Sequence, residues 1–378
     1  MATSMHAHVT PDVLRWARES IGYPLEEAAR RIDVRPEKLE RAEQGEVLLT
    51  LRQAEKAANV YDRPLAALFL PAPPVEEAQE TQYRRLPGAP EPPWPPQMQV
   101  LARRIRGRQE AAAELYELVD EDPPWLEARA EFGGNPEWHA RTARRLLGIS
   151  LEEQTSWRDP TGYRPLRHWV DAVESLGVLV MQDGTLSVEM VRGFASTHPA
   201  VPAVVVNTQD DARARAFTAV HELGHLTLEA TGQPVGPQTE SWCDDFAGEV
   251  LMPPAALEEV FARVTIRDPL DRIDEVALTF GVTPLSAAVT ARRRELLPRE
   301  TSNAVIERIR ERGARSQAGG GNYYWTQLGR LGPAFTRLVF DALDGQSLTY
   351  PAAAGLLGVK VNNFGTLREY VQRRSELE

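Results

Sequence analysis

Residues 221–225 read HELGH, and this pentapeptide constrains the chain more than any other stretch. A helix places residues four apart on one face. The two imidazoles of H-E-x-x-H can therefore reach one metal ion only if the segment is helical. The glutamate beside the first histidine then overhangs the open coordination position, where it can take a proton from water. His221 and His225 are the expected ligands of one zinc ion per chain, with manganese the alternative ion, and Glu222 is the expected general base. The flanks agree: Ala216, Phe217, Val220, Leu223 and Gly224 recur at helical spacing. Thr208 and Asp211, three apart, suggest the helix start. Before them, VPAVVVN at 201–207 reads as a β-branched strand. If that strand lies at the cleft, an extended substrate could add to its edge through main-chain hydrogen bonds.

A catalytic zinc of this kind needs a third protein ligand, histidine or carboxylate. ESWCDDFAGEVLMP at 240–253 is acidic, then apolar at helical spacing, and Pro253 stops it. Glu240 and Asp244 are four apart, on one helix face. Glu240 can then ligate the metal while Asp244 hydrogen-bonds a ligand histidine. Asp244 and Asp245 are the alternative third ligands. Cys243, the only cysteine, reads as a small core residue rather than a ligand. A single cysteine allows no internal disulfide and fits a reducing cytoplasm. No apolar run approaches membrane-spanning length and no signal segment opens the chain, so a soluble cytoplasmic protein is expected.

Several stretches resemble the ImmA/IrrE metallopeptidases: GFA at 193–195, VVVN ending at Asn207, FTAVHELGHL at 217–226 and FAGEVLMP at 246–253. The resemblance covers roughly residues 165–300. It implies a fold similar to thermolysin-like zinc peptidases and a protein substrate, since known members cleave helix-turn-helix repressors. The chain departs from that family at Cys243-Asp244, where Ala-Asn or Ala-Asp is usual, and at Trp242, where a second glutamate is usual.

Ahead of this region, residues 11–70 read as five short helices, with residues 1–10 unstructured. Leu25, Ala28, Ala29, Ile32, Val34, Leu39, Glu43, Gly45 and Thr50 resemble the Cro/repressor-type (XRE) helix-turn-helix family. In that resemblance Arg35, Lys38 and Arg41 sit on the recognition helix as DNA contacts. Residues 1–72 carry ten basic and eleven acidic side chains. Phosphate neutralisation supplies most DNA affinity, so a protein-docking or homodimer module is the competing reading. The net charge of −11 argues in the same direction, and against anionic membranes.

The expected organisation is α+β, mainly helical with a small sheet. A helix-turn-helix domain spans 1–72, a proline-rich linker 73–97, a zinc peptidase domain with preceding helices 98–300, and a helical domain 301–378. Residues 299–321 read as a boundary, and the last domain as a second helix-turn-helix or docking bundle with helices near 333–343, 348–357 and 361–373. His139 reads as a surface residue, and the NYYW aromatics at 322–325 as core. His168 and His198 are open candidates for a second catalytic group. The three-part arrangement also resembles regulator–peptidase fusions of toxin–antitoxin settings, which implies a cognate toxin or repressor partner. The leading expectation is a zinc-dependent endopeptidase joined to a helix-turn-helix regulator. The alternative is an antitoxin-like regulator or toxin-binding protein that docks a partner without cutting it.

Overall fold

The computed structural model describes residues 5–75, 94–132, 138–232, 238–313 and 323–376. These pack as two units, 5–75 with 94–105 and 106–376. Among the described residues no helix is long and apolar enough to cross a membrane. Most of the proline-rich stretch, including Tyr83, lies outside the described residues.

In the first unit, β1 (His6–Ala7) pairs antiparallel with β2 (Leu49–Thr50). Helices α1 (Pro11–Glu19), α2 (Leu25–Ile32), α3 (Pro36–Glu43) and α4 (Leu51–Val60) follow the expected order, and the fifth helix is a 3-10 turn at Leu65–Phe69. Thr50 and Gln53 cap α4 reciprocally, which satisfies two otherwise orphaned backbone donors. Residues 5–10 are not the unstructured arm expected from sequence. Ala7 and Val9 bury against Leu49 and Leu68 in one core, and that burial, with the β1 ladder, fixes the arm. Asp33 turns left-handed between α2 and α3, at φ 63. Glu43 is buried and takes both ends of the Arg18 guanidinium at 2.8 Å, tying α3 to α1.

A long helix, α5 (Pro96–Val119), has its first residues in the first unit and the rest in the second. The division therefore falls inside a helix rather than at its start. Three of its arginines make specific contacts: Arg103 donates to the Tyr61 carbonyl, Arg104 pairs with Asp62, and Arg108 donates to the Arg330 carbonyl.

The second unit is organised on a three-stranded sheet in the order β3 (Leu179–Asp183), β5 (Ala203–Asn207), β4 (Gly193–Ser196). β3 runs parallel to β5, and β4 antiparallel to it. Every β5 residue is buried, which is why residues 203–206 are continuously apolar rather than alternating. Before the sheet come α6 (Trp125–Glu131), α7 (His139–Leu146), α8 (Leu151–Ser156) and α9 (Tyr163–Ser175). After it come the motif helix α10 (Ala212–Ala230), then α11 (Thr239–Leu251), α12 (Pro254–Arg263), α13 (Pro269–Phe280), α14 (Pro284–Arg293) and α15 (Arg299–Arg312). Asp211 alone caps α10, accepting from the Arg213 amide, so Thr208 is not the cap. Trp169, Val173, Val204, Ala216, Val220, Leu223, Phe246, Val250 and Phe280 belong to one core that joins the sheet to these helices.

The segment expected as a boundary after 299 is largely the helix α15. It buries Val305, Ile306 and Ile309 in that same core, and Arg312 grips Asp274 with its two terminal guanidinium nitrogens. Charge on the exposed face of α15 hid its apolar stripe. The tail forms α16 (Tyr323–Leu331), α17 (Pro333–Asp344), α18 (Tyr350–Leu357) and α19 (Phe364–Glu376). It is fastened to α9 from two places. Arg374 pairs with Asp171, and the fully buried Glu174 accepts from the Ala334 amide at the start of α17 and from Arg337. The aromatics of α16 are not core: Tyr323 and Trp325 are exposed, in ring contact with Tyr324 and Tyr370 respectively.

Candidate metal centre

The motif residues meet α11 on the cleft side of α10. His221 and His225 stand one turn apart with ring centroids 5.1 Å from each other. Glu240 reaches between them: Oε2 lies 3.3 Å from His221 Nε2, and Oε1 3.3 Å from His225 Nε2. On the other side of the first imidazole, Asp244 Oδ1 stands 3.1 Å from His221 Nδ1. Spacing by four along α11 thus delivers one carboxylate to each nitrogen of one ring. Gly224 permits the two helices to close up, since a Cβ there would sit 3.0 Å from Phe246 and 3.3 Å from Cys243 Sγ.

Glu222 points to the same place from within the protein, with its side chain only 5 % exposed. Burial raises its carboxyl to about 7, against the pull of His221 and His225. The Ala195 amide of β4 donates to it, while Oε2 is buried without a hydrogen-bond partner. Burial opposes charge on His221, yet its bonds to Asp244 and Glu240 and the field of Glu222 outweigh burial and hold it up at about 10. Glu240 is held well below the usual carboxylate range by its bond to His221 and its closeness to His225.

These residues fit a metal ion. His225 has a side chain 1 % exposed, and both ring nitrogens are buried without hydrogen-bond partners, Nε2 being near Glu240 but off its bonding direction. A buried polar atom left unpaired is costly, and a cation at Nε2 removes that cost. Donors about 2.0–2.1 Å from a tetrahedral zinc stand roughly 3.3–3.4 Å apart, which matches the two nitrogen-to-carboxylate separations. Cys243 also falls within the wider cluster, its sulfur and the histidine nitrogens all within 4.8 Å of one another. Glu240 stands 3.3 Å from a nitrogen of each ring and is the ionised one of the two. The Cys243 thiol, in contrast, is pushed up by burial and by Glu222, Glu240 and Asp244. Asp245 is turned away to pair with Arg293.

The centre opens into a cleft of about 910 Å³. One wall is the α10 face carrying Arg213, Phe217 and His221, and another is the run from Val188 to Gly193 leading into β4. Leu285 of α14 and Ile309 of α15 also line it. Sequence reasoning missed the β4 wall and the α15 contribution. GFA is too short to show strand periodicity, and α15 is separated from the motif by some eighty residues. β5 offers no free edge, because β3 and β4 flank it. The expected pairing of substrate with β5 is therefore wrong, and β4 is the edge strand beside Glu222.

The isolated histidines lie elsewhere. His168 stacks on Trp157 at 4.3 Å, and burial lowers it to about 4. His198 Nδ1 accepts from the Ala200 and Val201 amides. Neither lines the cleft. His139 is buried rather than on the surface, against Phe132 and Trp242. In the first unit Arg35 is exposed at the start of α3, Lys38 donates to Gln53, and Arg41 pairs with Glu46.

Residues 173–292 match the family model described as the IrrE N-terminal-like domain, a peptidase family. The matched stretch holds the whole sheet and every residue of the centre from His221 to Asp244, and it relates this part of the chain to a metallopeptidase family. Such a family implies a metal, typically zinc. No curated protein and no solved structure matches the chain.

Proposed function

We propose that the chain is a zinc-dependent endopeptidase, with His221, His225 and Glu240 holding the ion. The observation that carries this reading is the Glu240 carboxylate set 3.3 Å from both motif imidazoles, beside the buried Glu222. Zinc, when bound, polarises the scissile carbonyl and makes water a stronger nucleophile. Asp244 fixes the tautomer and orientation of His221 by accepting from Nδ1. Glu222, in a pocket that raises its carboxyl toward neutrality, accepts the proton of the attacking water and returns it to the leaving nitrogen. The cleft-side end of β4, where Gly193 lines the cleft, favours an extended substrate, since an unfolded loop costs less to order there than a folded element costs to unfold. A linker or loop of a toxin or repressor partner is the fitting target. Elemental analysis of gently purified protein tests the reading. One zinc per chain is expected, and no stoichiometric transition metal would overturn it.

A proton on His221 and a metal ion compete for Glu240, which makes metal affinity pH-dependent. His221 is raised to about 10, so below that pH its proton must leave when metal binds. Zinc affinity is expected to rise about tenfold per pH unit from near neutrality upward. Competition with a chromophoric chelator measures it, and a flat profile would show that His221 is not protonated in the metal-free protein. In that metal-free form the raised imidazolium contributes stability below the ordinary value of 6.5 and loses it as pH rises through about 10.

The first unit supplies regulation in this reading, with α2 and α3 as a helix-turn-helix over DNA. The exposed Arg35 at the start of α3 supports it. Binding to the protein's own promoter should weaken steeply with salt, because phosphate contacts release counterions. Arg35→Ala should lower the slope of that salt dependence by about one. A salt-independent signal, or none at low salt, would favour protein docking by this unit. Lys38→Ala and Arg41→Ala test the other two positions, each of which must first leave Gln53 or Glu46.

A further inference from the structure

Resting on the peptidase reading, we propose that Asn207 is the positioning residue that holds the cleft-side end of β4 in place for an extended substrate. Asn207 closes β5 and is 4 % exposed. Its Nδ2 donates to the Leu186 carbonyl at 3.0 Å and to the Val191 carbonyl at 2.9 Å. Its Oδ1 accepts from the Gln209 amide at 3.0 Å, and its own amide donates to the Arg192 carbonyl at 2.8 Å. One buried side chain therefore ties together the loop before β4, the end of β5 and the turn into the motif helix. That loop is the cleft wall from Val188 to Arg192.

The strand that this loop feeds lies against the reacting centre. A Cβ on Gly193 would stand 2.3 Å from Thr218 Cγ2 of α10, 2.6 Å from the Val205 carbonyl and 3.5 Å from Glu222 Oε1. Only glycine lets the first residue of β4 come so near. The Asn207-to-Arg192 bond also sets the alternation of the antiparallel ladder. Phe194, opposite Val205, pairs inward, so Gly193 and Ala195 present their backbone groups to the outer edge. The Ala195 amide is already given to Glu222. Of the β4 residues only Gly193 lines the cleft, so an extended peptide would meet its outward backbone groups and then run past the loop that Asn207 holds. With both carbonyl bonds lost, the edge becomes slack next to the centre while His221, His225 and Glu240, on α10 and α11, keep their places.

The test compares two probes on zinc-loaded protein. Acetohydroxamate engages the metal centre alone, whereas a tripeptide hydroxamate of apolar residues also needs the β4 edge. Asn207→Asp keeps the size of the side chain and the acceptor for Gln209 but removes both donors, so it reads the two carbonyl bonds even if Asn207→Ala does not fold. We expect both variants to bind the tripeptide probe about tenfold or more weakly, as loss of buried hydrogen bonds implies. Acetohydroxamate binding and zinc content should stay at wild-type values. Equal weakening of the two probes, loss of zinc, or no change for the tripeptide probe would each overturn the positioning role. Wild-type protein that binds neither probe would instead overturn the metal-centre reading, and this inference with it.

Discussion

Glu222→Gln is expected to keep one zinc per chain and to cleave about 10²–10⁴-fold more slowly than wild type. The carboxylate is not among the three donors proposed to hold the ion. It stands behind them, buried, with one oxygen receiving the Ala195 amide and the other unpaired. Glutamine fits the same space and can still accept from Ala195, so neither the fold nor the ligand set is disturbed. What it cannot do is take up a proton at neutral pH, since an amide has no basic lone pair of that strength. The loss should therefore fall on kcat, with substrate binding little changed. Metal content and single-turnover cleavage of an unfolded protein, measured on the same preparation, decide it. A variant that cuts as fast as wild type would remove Glu222 from the chemistry.

The second large effect concerns the ion itself. His221→Ala is expected to take the bound zinc from one per chain to near zero, because it removes a donor and also strands Asp244, whose hydrogen bond goes to that ring. Asp244→Ala, which leaves all three donors, should weaken zinc about 10–100-fold. Glu240→Ala should weaken it more than Asp244→Ala does. Cys243→Ala should leave the metal in place, because the thiol is the least readily ionised member of the cluster. The order of these four affinities is the informative result. If Cys243→Ala loses zinc and Glu240→Ala retains it, the thiolate is the third donor and Glu240 only a neighbour. Replacing His225, whose nitrogens are both buried and unpaired, should match His221→Ala in metal loss. It should be gentler on apo stability, because it removes an imidazole that has no hydrogen bond to lose.

What was legible in advance was what local spacing decides. An i, i+4 pair on a helix has one geometry, so His221 with His225, and Glu240 with Asp244, could be placed on their faces from the sequence. The β-branched run at 201–207 announced the strand β5, and prolines and glycines marked most helix ends. The charged stripe of α15, in contrast, concealed a helix whose apolar residues are few and widely spaced. Burial of His139, exposure of Tyr323 and Trp325, and the seating of Ala7 and Val9 all depend on which surfaces meet, and no local period encodes that.

By itself, then, the sequence determined the motif helix, its partner helix and the donor types they carry, because each is fixed by periodicity within some fifteen residues. The tertiary structure decided which strand borders the centre at the edge of the sheet, since strand order is set by packing among distant segments and β5 turned out to be flanked on both sides. It also decided that Glu240 rather than Asp245 faces the two imidazoles, which depends on how α11 is rotated against α10 about the contact at Gly224. The role of Asn207 was invisible for the same reason. Its partners Leu186 and Val191 lie in a loop of no regular period, and only the folded sheet brings that loop to the amide.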